Sequence, residues 1–210
     1  MNLVKIRQIL FDEMYEKVQW SGEKSGKYYH GKRVAKLALT LKKNILPNDG
    51  DSHDDIITVA GWFHDVMNGT DGHALAGAER TKILLSEHCS EYEMQEIYDI
   101  IYRHDDRHSD RNSFSVYAKI QQDADHLDHF GAHDIWARFV TLSLNSRTIA
   151  EVIEYVKEWQ KSVGTRFEEE LNFDISKKIH REKAEFFHSF AERFITEGTG
   201  KIWNKDIIFD

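Results

Sequence analysis

An irregular bundle of α-helices is the fold this sequence predicts, on three observations. Apolar residues recur at three- and four-residue spacing through most of the 210 residues, proline occurs once, and strict polar–apolar alternation is nowhere sustained. Proline lacks the backbone donor a helix needs and glycine relaxes the chain, so both mark helix ends. Glycines cluster at Gly22 and Gly26, Gly69 and Gly72, and Gly198 and Gly200, and the stretches between are periodic.

In chain order, Val34, Leu37, Ala38, Leu41 and Ile45 form one apolar face, and Pro47 stops that helix. Ile56, Val59, Ala60 and Phe63 form a second, leading directly into His64-Asp65. Met94, Ile97, Tyr98 and Ile101 form a third, which runs out at Arg103-His104. A further helix contains Trp136 and Phe139. The pattern then extends over Thr148 to Trp159 and over Phe173 to Ile195, with Ile179, Phe186, Phe187, Phe190 and Phe194 on the latter. Only the Trp203 to Phe209 tail hints at a strand; it is apolar enough to dock on its own bundle or on a second copy, so a homodimer is one expectation. No linker divides the chain, and residues 1–210 are expected to form a single helical domain.

Composition narrows the function. A net charge of −8 argues against general binding to nucleic acid or anionic membrane, although a local basic patch can still hold phosphates. No apolar run approaches the ~20 residues that span a bilayer, and the first residues lack a secretory signal's apolar core. Cys89 is the single cysteine, which excludes an internal disulfide. A cytoplasmic protein with a quiet, half-buried thiol near a helix end is expected.

Histidine and aspartate carry the chemical signal. Adjacent His-Asp pairs occur at 53, 64, 104 and 133. Those at 53 and 133 sit where acidic residues complement a helix N-terminus. His64-Asp65 differs because it ends an apolar helix, where a carboxylate must pair, accept hydrogen bonds or bind a cation. The segment Gln121-Gln122-Asp123-Ala124-Asp125-His126-Leu127-Asp128-His129 crowds three carboxylates into six residues, which repel unless neutralised. It reads either as an exposed acidic turn or, given Val116, Ile120, Leu127 and Phe130, as a partly buried helix. His30 lies near the start of its helix, with Arg33 on the same side. Two imidazoles and two carboxylates, from His30, His64, Asp65 and Asp125, make a mixed set suited to a divalent cation. Each also has a plain structural alternative as a packed or surface side chain.

Taken together, the segments Tyr29-His30-Gly31-Lys32-Arg33-Val34, Gly61-Trp62-Phe63-His64-Asp65-Val66 and Asp123-Ala124-Asp125-His126-Leu127-Asp128 resemble the HD-domain phosphohydrolase superfamily. The likeness is strongest over residues 28–138 and is nearest to the small stand-alone bacterial members; helices over 148–196 would pack on that unit. It implies that His30, His64, Asp65 and Asp125 hold a divalent ion such as Mn, Mg, Co, Ni or Fe. Asp123 and Asp128 would orient those ligands or close the helix turn. His104 and Asp105 would steer water or protonate a leaving group, while Arg33, Lys32 and Arg103, with Arg107 behind them, would neutralise phosphoryl oxygens. Many members carry an acidic residue where this chain has Asn68. An amide cannot act as a base near neutrality, so that task lapses or moves to Asp71, His73, Glu79 or Asp105.

The activity implied is metal-dependent hydrolysis of a phosphate ester or anhydride in a small molecule, most plausibly a nucleotide. Two rivals share the scaffold. One is a di-iron, oxygen-dependent enzyme that recruits His73, His104 and His108; the other is a non-catalytic nucleotide-sensing module. Trp62, Trp136, Tyr28 and Tyr102 are candidates for stacking on a base, though aromatic residues on helices are more often core.

Overall fold

The structure, a computed structural model, describes residues 1–17, 24–107, 109–162 and 165–202. His108 and the tail from Trp203, which carried two of the expectations above, lie outside the described residues. Among those residues the chain is all-α, with ten helices and no strand. They are α1 (Leu3–Met14), α2 (Gly26–Ile45), α3 (Asp54–Phe63), α4 (His73–Leu84), α5 (Glu91–Arg103), α6 (Val116–Asp128), α7 (Ala132–Leu144), α8 (Ile149–Ser162), α9 (Thr165–Glu169) and α10 (Asp174–Gly198). No helix among the described residues is long and apolar enough to cross a membrane.

The periodic stripes become the packing faces. Val34, Ala38 and Leu41 of α2 meet Ile57 of α3 and Ile120, Ala124 and Leu127 of α6, all essentially sealed from solvent. Ile6, Leu10 and Met14 of α1 join Val59, Ala60 and Phe63 of α3 and Ile97, Ile100 and Ile101 of α5 in a second layer. A third layer, rich in aromatic residues, forms where Ile135, Val156, Trp159, Phe187 and Ala191 bring α7, α8 and α10 together. Local signals fix the ends: Ser90 and Glu93 make a reciprocal capping box at the start of α5, and the Ser115 hydroxyl caps α6.

Three helices escaped the periodicity, α9 because five residues are too few to show it. The buried side of α4 is Ala74, Gly77, Ala78 and Thr81, too small to register as an apolar stripe. α1 buries one residue per four, a sparse pattern against its polar remainder. The acidic 121–129 segment is the helical alternative: α6 covers it to Asp128, with Asp123 wholly buried. Cys89 is half-buried against the core, and its thiol is pushed up to about 11 by burial and by Glu93, as expected of an unreactive cysteine.

One crossing positions the site. A Cβ on Gly61 would lie 2.7 Å from the Ala35 Cα, and one on Gly31 would lie 2.7 Å from the Trp62 carbonyl oxygen. Only glycine at both places lets α2 and α3 approach this closely, and the approach sets His30, beside Gly31, against His64, just past α3. At the far end the helices are tied by Lys42. Its ammonium, 2% exposed, donates to Asp54 at 2.7 Å and to the Gly50 carbonyl at 2.6 Å, and pairs with Asp49 at 3.0 Å. A buried charge needs that many partners to be tolerated.

Candidate metal centre

Three helices deliver four side chains to one point. His30 comes from the second turn of α2, His64 and Asp65 from the end of α3, and Asp125 from the last turn of α6. The His30 Nε2 lies 3.2 Å from the His64 Nε2 and 3.1 Å from the Asp125 Oδ1, and the latter two atoms are 3.3 Å apart. The Asp65 Oδ2 stands 3.7 Å from each imidazole nitrogen. Ligands about 2.1 Å from an octahedral ion are themselves about 3 Å apart, so these separations suit a small divalent cation.

The imidazoles are held in the tautomer a metal needs. His30 Nδ1 donates to the Asp128 carboxylate at 2.8 Å, and His64 Nδ1 donates to the Gly61 carbonyl at 2.9 Å. Each Nε2 is thereby directed into the cluster, the orientation that outer partners of metal-binding histidines impose. Asp128 is fixed in turn by Arg33, whose Nε and Nη2 donate to its two oxygens at 3.0 and 2.8 Å.

The charge at the cluster suits a cation. Burial acts to lower the His64 pKa, but the Asp65 and Asp125 carboxylates outweigh it and carry it to about 9. Against burial, His64 and Lys27 hold Asp65 well below the usual carboxylate range, and His64 and the neighbouring histidines do the same for Asp125. The Lys27 ammonium donates to Asp65 Oδ2. The donor set therefore fits a divalent ion.

A second group adjoins the first. His104, 2% exposed, donates from Nδ1 to the Ile101 carbonyl at 2.7 Å, and its Nε2 is 3.8 Å from Asp65 Oδ1. Burial, then the positive charge of His64, lowers its pKa to about 4. His73 opens α4, and its Nε2 is 3.3 Å from that of His104, 3.9 Å from Asp65 Oδ1 and 3.6 Å from Asp105. Asp65, His73 and His104 thus form a second triad that can hold an ion. Asn68 donates to Asp65 Oδ1 at 3.2 Å, so it serves the ligand through its amide.

Other residues singled out in the sequence fall elsewhere. Asp123 orients no ligand: it accepts from the Asn172 and Phe173 backbone N–H groups and from the Asn172 side chain, at 2.8 to 3.1 Å, and so anchors the start of α10. Arg103 stacks 4.9 Å from the rings of Tyr102 and Phe114 and pairs loosely with Asp99 and Asp106. Lys32 lies 5.2 Å over the Tyr28 ring. Arg107 donates to the Gln122 carbonyl, Glu79 accepts from Tyr98, and Asp71 is exposed.

Three participants carried little sequence signal. Lys27 sits one turn before His30, and His129, whose Nε2 is 3.5 Å from Asp125, sits one turn after that ligand. Spacing alone would have placed both on the ligand faces. Gln121 is also one turn from Asp125; it is fully buried, and neither of its amide atoms has a hydrogen-bond partner among the described residues.

Comparison with known proteins agrees with this geometry. The HD domain family matches residues 28–129, a span that holds all four candidate ligands. The chain is an HD-domain protein. Solved structures share the fold over nearly its whole length. An HD-superfamily hydrolase from Bacillus thuringiensis superposes with a TM-score of 0.68 at 21% identity, covering 95% of this chain and 97% of that one. A predicted HD-superfamily hydrolase from an uncultured Thermotogales bacterium gives 0.60 at 22% identity, over 93% and 92%. Bacillus subtilis YpgQ, solved in complex with ADP, gives 0.62 at 20% identity, over 91% and 97%. No curated protein matches the chain.

Proposed function

We propose that this HD-domain protein is a divalent-metal-dependent hydrolase of phosphate esters or phosphoanhydrides in a small molecule, with a nucleotide as the favoured substrate. The observation that carries the reading is that the Asp65 and Asp125 carboxylates each lie 3.1 to 3.7 Å from the Nε2 atoms of both His30 and His64, a donor set of two nitrogens and two oxygens. An ion held there supplies Lewis acidity toward a phosphoryl oxygen and makes water more acidic. Asp128 and Arg33 keep His30 oriented, and Asn68 steadies Asp65.

His104 and the His73–Asp105 pair flank Asp65 on its other oxygen, and they are the groups placed to accept a proton from water or return one to the leaving oxygen. Asp105 is half exposed and can exchange that proton with solvent. Arg33 remains a phosphate contact only through the part of its guanidinium that Asp128 leaves open. Lys32 and Arg103 are weaker candidates, since both lie against aromatic rings. The HD-superfamily hydrolase neighbours and the ADP held by YpgQ support hydrolysis and a nucleotide ligand. Residues 1–210 are taken as one functional unit, since the similar structures cover more than nine-tenths of the chain.

The test is a screen of nucleotides, sugar phosphates and pyrophosphate with Mn²⁺, Mg²⁺, Co²⁺ and Ni²⁺. Metal-dependent phosphate release from at least one class is expected. A chain that binds metal and cleaves none of them would overturn the reading. The Asp65–His73–His104 triad favours one alternative, a di-iron oxygen-dependent enzyme. It would be recognised by a coloured, iron-bearing preparation that consumes oxygen.

A further inference from the structure

α10 holds α6 on either side of Asp125. Ahead of it, the buried Asp123 carboxylate accepts the backbone N–H groups of Asn172 and Phe173, at the entry to α10. Beyond it, Lys183 reaches from the third turn of α10 and donates to the Leu127 carbonyl at 2.7 Å and to the Phe130 carbonyl at 3.1 Å. Leu127 lies between Asp125 and Asp128 in the chain, so both contacts bear on the stretch that carries those carboxylates. α10 itself lies beyond residues 28–129, which carry the family pattern.

The route taken by Lys183 is specific. Gly131, in the turn between α6 and α7, has a φ of +95°, which glycine adopts without strain. A Cβ there would meet Cγ, Cδ and Nζ of Lys183 at 3.6 to 3.8 Å, so the lysine stem runs along that bare backbone. The side chain is half-buried, and burial lowers its pKa while Asp128 and Asp134 act to raise it. Its hydrogen bonds among the described residues go to those two carbonyls. Carbonyls at the end of a helix lack partners within it and form the negative pole of its dipole. The ammonium neutralises that pole beside two carboxylates, and its two bonds fix where α6 ends. A metal ligand tolerates only about 0.2 Å of displacement. The placement of this turn therefore decides whether Asp125 reaches the ion's position and whether Asp128 reaches His30.

We propose that Lys183 is a positioning residue of the metal centre, holding the last turn of α6 so that Asp125 meets both histidines and Asp128 meets His30. The assignment rests on the metal-dependent reading of the site and extends that site to α10. Charge, packing and positioning make different demands here. As a charge alone, the ammonium would repel a cation, and its removal would tighten metal binding. As packing alone, its removal would lower stability and leave the affinity of the folded chain unchanged. As a positioning residue, its removal weakens metal binding.

The experiment titrates the metal-free full chain with Mn²⁺ by calorimetry and records the electron paramagnetic resonance spectrum of the bound ion, for wild type, K183M, K183Q and F187L. Methionine keeps the stem against Gly131 and removes the charge and both donors. Phe187, one turn further along α10, packs on Trp159, so F187L loosens the packing of α10 with the Lys183 bonds in place. K183M should weaken Mn²⁺ binding by roughly tenfold, the lower scale of losing an orienting partner, and change the spectrum of the bound ion. F187L should lower the thermal midpoint and keep wild-type affinity and spectrum. K183Q, which retains a donor, should fall between K183M and wild type, and it carries the test if K183M loses its helicity. Unchanged or tighter Mn²⁺ binding in the folded variant overturns the assignment, as does a loss in F187L equal to that in K183M. A wild-type chain that retains no Mn²⁺ overturns the metal centre and the role of Lys183 together. A wild-type chain that binds Mn²⁺ more tightly than K183M and cleaves no phosphate compound overturns the hydrolase reading alone.

Discussion

Asp125 and His126 are neighbours in sequence and belong to different worlds. Successive helical residues point about 100° apart, so one face of α6 carries Asp125 and Asp128 into the ligand cluster while the other buries His126 in an aromatic pocket. There the His126 ring lies 5.3 Å from that of Phe130, 5.6 Å from Phe167 and 6.2 Å from His180. Both faces hold buried histidines close to one another, and their electrostatics are opposite. At the ligand cluster two carboxylates raise His64 to about 9. On the aromatic face burial dominates, aided by Arg107 and His180, and His126 falls to about 4. Clustered imidazoles do not by themselves make a metal centre. Carboxylates within coordinating distance do, because they make a cation the cheapest way to neutralise the site.

The largest effect should come from removing a ligand on the charged face. Asp125→Ala is expected to lose bound metal on desalting and to lose hydrolysis, with helicity by circular dichroism unchanged. The loss should exceed the roughly 10–100-fold that removal of an orienting partner costs. Retained metal with full turnover would remove Asp125 from the ligand set. Asp128→Asn comes next: it keeps the shape but weakens the charge that holds His30, so metal affinity should fall by roughly 10–100-fold. A metal titration giving wild-type affinity would show that Arg33 and Asp128 serve only packing.

Lys27→Met probes the cation that stands on Asp65. Two positive charges a few ångströms apart repel by about 1 kcal/mol even in water-like surroundings, so removing the ammonium should tighten Mn²⁺ binding by about fivefold. Weaker binding would mean that Lys27 organises the ligands instead of competing for them. The smallest effect should follow His126→Phe on the aromatic face. Metal content should be unchanged and stability within about 1 kcal/mol of wild type, read by thermal melts and metal analysis. Metal loss in this variant would break the contrast between the two faces.

The three carboxylates of α6 show how far sequence reading reaches. Their crowding is visible in the primary structure and announces that something must neutralise them. Their division of labour is not. Asp123 accepts donors from Asn172 and Phe173, Asp125 joins the ligand cluster, and Asp128 orients His30. Asn172 lies 49 residues after Asp123, and His30 lies 95 residues before Asp125. Lys27 and His129 were missed for the same reason, since each gains meaning only from what its neighbouring turn touches. Arg33 was read as a phosphate contact, and its fork on Asp128 came from a helix 95 residues away.

What the sequence determined by itself is the helical class and most of the helix faces, which follow from local periodicity, together with a crowding of His and Asp whose burial must be offset. Its resemblance to the HD-domain superfamily singled out the four metal-ligand candidates. Which histidines meet carboxylates, which carboxylate is structural and which aromatic rings stay open to solvent were decided only by the tertiary structure. The physical reason is that the close crossing of α2 and α3 at Gly31 and Gly61, and the rotation of α6 between them and α10, set distances of a few ångströms between residues far apart in the chain. Electrostatics and coordination depend on those distances.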